Sequence, residues 1–347
     1  MALIQFQGFE NFQLAISVDL PASGQYFGWT GTGSVAGTLV AGQLGGFQWS
    51  SNGGTNNNIE FLAPSPLTTF IVGFRLNIPA IRNQSFMECW DSTHTTQMGL
   101  GISASGKLYV WRGSTANVVA TGTTTIVFGG YYYVELKCTI NTTTGSCTVN
   151  LNGVQEINAT NVNTQATGNA NVQYWRYRWT GAETLLIDDW YLEDTTGSAP
   201  YNGFLCDPTN ALRIETLYPT ANSSVFFTPN TSTNVSQVQE VHSDNDTTFN
   251  VTSVPAIDTF THGSLVSTPV TIYAINVLAK LRSDDVSNMT MRTKLTSGAT
   301  SVNGTTWLGA TVYQYIVDQY TTDPNTSAAW ATAAAVNGTI IGYERIT

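Results

Sequence analysis

The chain has 347 residues, of which 42% are hydrophobic and only 10% charged, against about 25% charged in an average soluble domain. Its formal net charge is −10. Its Lys and Arg are too few and too scattered to displace counterions from phosphates, which excludes a nucleic-acid partner and disfavours an anionic membrane surface.

The length predicts two domains, each able to bury a full core without metals or staples. Thr, Asn, Ser and Gly stand where charges are missing. Contacts made by such side chains are little affected by salt, which suits a surface that meets neighbouring subunits. Met1 to Glu10 carry no basic stretch, no long apolar run and no small-residue cleavage site. They do not read as a secretion signal, and the chain is expected to be made in a cytoplasm. No segment approaches the roughly 18 apolar residues of a membrane-spanning helix. Cys89, Cys138, Cys147 and Cys206 form no C-x-x-C pair, so zinc-ribbon and thioredoxin readings fail. Cys138 and Cys147 can face each other across a hairpin, yet the expectation for all four is a buried, reduced thiol. Asn-x-Ser/Thr triplets, such as those at Asn141, Asn230 and Asn337, carry no glycan argument without a secretion signal.

Apolar and polar residues alternate with a period of two along much of the chain, which predicts strands. From Phe70 to Ile78, one face holds Phe70, Val72, Phe74, Leu76 and Ile78, and the other Ile71, Gly73, Arg75 and Asn77. Glu88-Cys-Trp-Asp-Ser-Thr-His94 is the most reactive-looking cluster, but its spacing matches no zinc site. It reads as a strand end with Cys89 and Trp90 in the core and His94 beyond a turn. Ser105 and Gly106 separate two further strands, and Gly129 with Gly130 introduces another from Tyr131 to Ile140. Its inward set is Tyr132, Val134, Leu136, Cys138 and Ile140; Glu135, Lys137 and Thr139 point outward. Cys147, Val149 and Leu151 alternate next. Asn152 and Gly153 then signal a two-residue hairpin, because a type I′ turn needs φ > 0 twice.

Tyr174-Trp-Arg-Tyr-Arg-Trp179 interleaves Trp175, Tyr177 and Trp179 with Tyr174, Arg176 and Arg178. Either the first set fills the core with the arginines outside, or the segment forms a stacking platform for sugars or an interface anchor, since Trp, Tyr and Arg dominate contact hot spots. Asp188 and Asp189 are adjacent on the strand from Leu185 to Leu192, so they are expected on opposite faces, which argues against a catalytic carboxylate pair. The Gly/Pro/Asn-rich stretch from Thr195 to Gly203 predicts the boundary between a first domain over 1–197 and a second over 204–347.

The second domain is expected to have strands around Leu212–Tyr218, Thr271–Leu281, Met289–Thr296, Tyr313–Val317 and Thr339–Tyr343. Asp244-Asn-Asp246 offers hard oxygens to calcium but lacks the EF-hand spacing, so an Asx-turn is the competing reading. The three histidines, His94, His242 and His262, make a triad or proton shuttle a poor reading. Ser327 is expected to cap a helix over Ala328–Val336, stopped by Asn337-Gly338. Many short antiparallel strands without βαβ alternation give the fold class: all-β, two β-sandwich (jelly-roll-like) domains, with one short helix near the C-terminus.

Three strings, Tyr131-Tyr-Tyr-Val-Glu-Leu-Lys137, Gly145-Ser-Cys-Thr-Val-Asn-Leu-Asn-Gly-Val154 and Ile187-Asp-Asp-Trp-Tyr-Leu192, together resemble the second half of a concanavalin A/laminin-G-type jelly roll. The run Asp194 to Asp207 and the strings Leu217-Tyr-Pro219, Asp244-Asn-Asp-Thr-Thr-Phe249 and Thr322-Asp-Pro324 with Trp330 are similar to those of tailed-bacteriophage structural proteins. Cys206 stands where those relatives usually carry Gly. The resemblance implies that Asp188 and Asp189 are structural, one of them accepting backbone N–H bonds near the sandwich rim. Jelly-roll glycan hydrolases resemble this fold too, but no E-x-D-x-x-E string is present, so no catalytic residue and no cofactor is expected; the resemblance leaves rim-loop calcium as the metal to consider. It further implies a virion component, whether capsid decoration, fibre or tail-associated protein, that contacts copies of itself and other virion proteins. The alternative is a lectin module that recognises host-surface glycans.

Overall fold

A computed structural model describes residues 3–9, 37–51, 58–80, 82–181, 183–209, 211–240, 244–284 and 289–347. The chain divides into two compact units; among the described residues the first runs to Ile214 and the second from Glu215 to Thr347.

The first unit contains β1 (Leu3–Gln7), β2 (Thr38–Ala41), β3 (Phe47–Ser50), β4 (Asn58–Leu67), β5 (Thr69–Asn77), β6 (Gln84–Trp90) and β7 (Thr96–Ile102). It continues with β8 (Lys107–Arg112), β9 (Ser114–Thr125), β10 (Tyr131–Thr139), β11 (Gly145–Leu151), β12 (Val154–Val162), β13 (Val172–Arg178) and β14 (Leu186–Glu193). Among the described residues, one sheet runs β12-β11-β10-β5-β14-β3-β2 with β1 beside β14, and the other runs β4-β13-β6-β7-β8-β9. Their inner faces share one core. Phe70, Val72, Phe74 and Leu76 of β5 and Val134, Leu136 and Cys138 of β10 meet Ile59, Phe61, Met98, Leu100, Trp175 and Tyr177 from the opposite sheet. Phe61 stacks on Trp190 with ring centroids 4.0 Å apart, and Phe74 meets Tyr177 edge-on at 4.8 Å. A one-residue slip of any such strand would turn its aromatic set into water, so burial fixes the register.

The alternation that fills the core predicts polar residues facing solvent on the other side. The residues on that side of β5, β10 and β14 do not face it: Arg75, Glu135, Asp189 and Glu193 are buried, together with Ile71, Tyr133 and Tyr191. The segment after β14, expected as a domain linker, runs back over this face as a strap. Leu205 and Cys206 donate their backbone N–H groups to Oε1 of Glu135 at 2.8 and 3.0 Å. Lys137 donates to the Asn202 carbonyl at 3.0 Å, and Arg75 to that of Leu212 at 2.6 Å. These bonds place the strap in the first unit and satisfy polar groups that would be costly to bury alone. The two-residue hairpin is as expected, with Asn152 and Gly153 at φ 50° and 75° between β11 and β12. A side chain at Gly153 would collide with Asp207 and Pro208 of the strap.

The second unit contains β15 (Pro219–Ser224), β16 (Thr228–Pro229), β17 (Asn250–Val251), β18 (Ala256–His262), β19 (Ile275–Leu281), β20 (Thr290–Ser297), β21 (Thr300–Asn303), β22 (Trp307–Leu308), β23 (Gln314–Tyr320), α1 (Ala333–Asn337) and β24 (Ile340–Arg345). Among the described residues, a sheet ordered β15-β18-β24-β20-β21, with β22 beside β20, forms one layer. The β19-β23 pair lies against it: Val277 packs with Leu295, Trp330 and Val336, and Ile316 with Phe260, Met291 and Tyr343.

Two expectations need correction here. Leu212–Tyr218 makes no ladder: the N–H of Ile214 is taken by Oδ1 of Asp189 at 2.8 Å. The helix begins at Ala333, not Ala328. Trp330 is buried and donates to the Tyr320 carbonyl at 3.0 Å, while Asp323 and Ala328 bond to each other, so the first half of the alanine run is held in turns. Thr332, not Ser327, is the cap, accepting from the N–H of Ala335.

Candidate binding face on the six-stranded sheet

Directly opposed residues of neighbouring strands project from the same side of a sheet. Arg176 of β13 pairs in register with Glu60 of β4 on one side and Glu88 of β6 on the other. One step along, Tyr174 pairs with Leu62 and Trp90. Two parallel rows, Glu60-Arg176-Glu88 and Leu62-Tyr174-Trp90, therefore share the outer face of the six-stranded sheet. Trp175, Tyr177 and Trp179 point the other way and are wholly buried in the core. The hexapeptide thus splits as its alternation allows. The platform reading fails for Trp175, Tyr177 and Trp179, whereas Tyr174, Arg176 and Arg178 lie half-buried on the outer face.

His94 completes the arrangement. The turn after β6 gives it a left-handed backbone (φ 61°) and folds its ring over the second row, 4.4 Å from the Trp90 ring and 4.7 Å from Tyr174. Its Nε2 lies 3.1 Å from both carboxylate oxygens of Glu60. Burial lifts the Glu60 carboxyl above its ordinary value, more than the neighbouring His94 pulls it down. Glu88 accepts from Trp90 Nε1 at 3.1 Å and pairs with Arg178 at 2.5 Å. The Arg176 guanidinium lies over the Trp90 ring, 5.1 Å from its centroid, a cation–π distance. It makes no ion pair among the described residues, and its Nε is buried without a hydrogen-bond partner.

The reactive-looking cluster thus separates into three roles. Cys89 is core, while Trp90 belongs to the outer face rather than the core. Asp91 organises loops. Its Oδ1 accepts from the N–H groups of Thr93 and Thr95 and its Oδ2 from Thr167 and Asn169. Burial raises its pKa, but these hydrogen bonds outweigh burial and bring it down to about 2. Glu60 went unnoticed in the sequence, although Ile59, Phe61 and Ala63 alternate with Asn58, Glu60 and Leu62 and so aim Glu60 outward.

Asp188 and Asp189 lie on the opposite sheet. A bulge between Asp188 and Tyr191, with Asp189 at φ 47°, overturns the expectation of opposite faces. Arg75 is the register partner of Asp188, yet its Nε pairs with Oδ2 of Asp189 at 2.7 Å. In the second unit, Asp246 pairs with Arg282 at 3.0 Å and accepts from Tyr313 at 2.7 Å, and Asp244 accepts from Thr248. A guanidinium thus already faces the Asp246 carboxylate that the calcium reading needs. Among the described residues no group of three or more His, Cys, Asp or Glu is placed to hold a metal. His262 ties β18 to the turn after α1, with Nε2 2.8 Å from Thr339 Oγ1. His242 lies outside the described residues. No helix of the described residues is long and apolar enough to cross a membrane.

No protein-family model and no curated protein matches the chain. Among solved structures it is similar to a carbohydrate-binding module, CBM66, from Bacillus subtilis, at 16% identity over 48% of this chain and 96% of that one, with a TM-score of 0.32. It is similar to domain 4 of AbnA, an extracellular arabinanase from Geobacillus stearothermophilus, in complex with arabinotriose, at 17% identity over 56% and 92%, TM-score 0.38. It is also similar to the alginate lyase Aly36B in complex with an alginate tetrasaccharide, at 11% identity over 54% and 95%, TM-score 0.35.

Proposed function

We propose that the chain is a binding protein without catalytic activity, and that the outer face around Arg176 takes a carbohydrate. The observation that carries this reading is the Arg176 guanidinium: half-buried, without an ion pair among the described residues, and set between two buried carboxylates beside an aromatic row. A sugar offers hydroxyls to such a donor fork and an apolar ring face to aromatic edges. The flanking groups are held by His94, Trp90 and Arg178, so little side-chain freedom is lost on binding.

The same bonds argue against hydrolysis. Both oxygens of Glu60 and both of Glu88 are engaged. With Arg176 between them, their strands are two spacings apart, about 10 Å, which excludes a retaining pair at roughly 5 Å. An inverting pair at roughly 6.5–9.5 Å is opposed instead by the Arg176 side chain, which stands between the two acids where the attacking water would need room. Screening the protein against an array of bacterial-surface oligosaccharides tests the reading, with product analysis on every ligand that binds. Retention of at least one glycan class without turnover supports it; turnover abolished by Glu60→Gln or Glu88→Gln would replace it with an enzyme.

A second reading concerns where the chain works. We propose a part in a tailed-phage particle, in contact with copies of itself and other virion proteins. The motif resemblance of the run Asp194 to Asp207 and of the strings in the second unit supports this reading. Copurification with particles at a stoichiometry set by their symmetry is the expected result. A stable monomer with no affinity for any particle component would rule it out.

A further inference from the structure

Cys138 on β10 and Cys147 on β11 are direct cross-strand partners, and their sulfurs lie 3.0 Å apart, closer than two sulfurs in ordinary contact. Opposed residues of antiparallel strands have Cα atoms about 4.5–5.5 Å apart, inside the range of about 4.4–6.8 Å that a disulfide spans. Closing the bond therefore asks for a side-chain shift of about an ångström and leaves the backbone in place. Both residues are free thiols, wholly buried in the core of the first unit. A third thiol, Cys89, shares that core from the opposite sheet, and Met98 Sδ lies 3.2 Å from Cys138 Sγ. Cys206 belongs to the strap on the far side of the sheet.

We infer that Cys138 and Cys147 join as a disulfide when the chain folds in the presence of a small-molecule disulfide such as oxidised glutathione, stay two thiols when it folds without one, and are locked in either state by folding. In the open chain, the Cys147 thiolate attacks one sulfur of the small disulfide and expels the other as a thiolate. The Cys138 thiolate then attacks Cys147 Sγ, breaks the mixed disulfide and releases the second small thiol. The two cysteine sulfurs are oxidised by two electrons, the small disulfide is reduced, and the two cysteine protons end on the two released thiols. In the folded chain neither sulfur can meet a reagent without the sandwich opening, and burial further holds the Cys138 thiol protonated.

The test is a refolding experiment. Protein denatured in urea with reductant is refolded in reduced or in oxidised glutathione, then alkylated under denaturing conditions and weighed intact. A third sample, folded and reduced, receives the same oxidised glutathione. The reduced arm should keep four alkylated cysteines. The oxidised arm should keep two, with a mass lower by two hydrogens after subtraction of the alkyl groups and one cross-linked peptide pair joining Cys138 to Cys147. The folded sample should keep four for as long as the refolding arm needs to finish. Cys89→Ala should leave the cross-link intact, and Cys147→Ala should abolish it. Expression in reducing and in oxidising bacterial cytoplasm gives the same comparison without refolding. Four alkylated cysteines in the oxidised arm, or a cross-link through Cys89 or Cys206, would overturn the pairing. Oxidation of the folded sample as fast as the refolding one would overturn the locking.

Discussion

The Tyr191 hydroxyl donates to Oε1 of Glu135 at 2.5 Å, passing over Gly73, the register partner of both residues on the strand between them. A side chain at position 73 would collide with the Tyr191 ring. The same oxygen takes the N–H groups of Leu205 and Cys206, so one absent side chain lets the strap be pinned.

Gly73→Ala should therefore overpack the outer face and cost about 1–3 kcal/mol in urea denaturation. Tyr191→Phe, which removes only the hydrogen bond, should cost about 1 kcal/mol. Gly73→Ala should also loosen the strap, so that Cys206 reacts with a thiol reagent in the folded protein while Cys138 and Cys147 stay protected. Unchanged stability of Gly73→Ala would show that the strap does not depend on the Tyr191 bridge.

Arg75 and Asp189 form a buried ion pair at 2.7 Å. Arg75→Met should leave an uncompensated carboxylate and cost about 3–5 kcal/mol, most of it recovered in the double variant Arg75→Met with Asp189→Asn. A double-mutant cycle in urea measures this, and additive losses would contradict the pairing.

Two buried acids give stability opposite pH slopes. Asp91 has its folded pKa depressed to about 2, so its contribution is full above its ordinary titration range and is lost as pH falls through that value, a loss of about 2 kcal/mol. Asp91→Asn should be less stable at neutral pH and lack that acid slope. Glu193 is pushed up to about 8 by burial first and then by Glu135 and Asp194. Its contribution is full below its ordinary titration range and is lost as pH rises through about 8. Glu193→Gln should be more stable than the parent at pH 9, with the alkaline slope flattened. Urea midpoints from pH 2 to 9 read both effects, and a Glu193→Gln variant less stable at pH 9 would contradict the sign.

Much of the first unit was legible because its strands alternate: Phe70 to Leu76 and Val134 to Cys138 land in the core as their spacing demands. What the alternation cannot reveal is what covers the other face. Glu135 and Arg75 look like solvent residues and are buried because a distant segment folds over them. Glu60 and His94 are 34 positions apart and meet only through sheet order and a left-handed turn. The alanine run fails as a full helix because Trp330 gains more from burial than the backbone gains from helix propensity.

The most direct test of a carbohydrate site centred on Arg176 is binding of the same bacterial-surface glycan array by the parent and by Arg176→Ala, with equal thermal stability of the two as the control. The account predicts a bound glycan class for the parent and at least a tenfold weaker signal for the variant, in line with loss of one charge-assisted contact. A bare array for the parent, or equal signals from the two proteins, would contradict it.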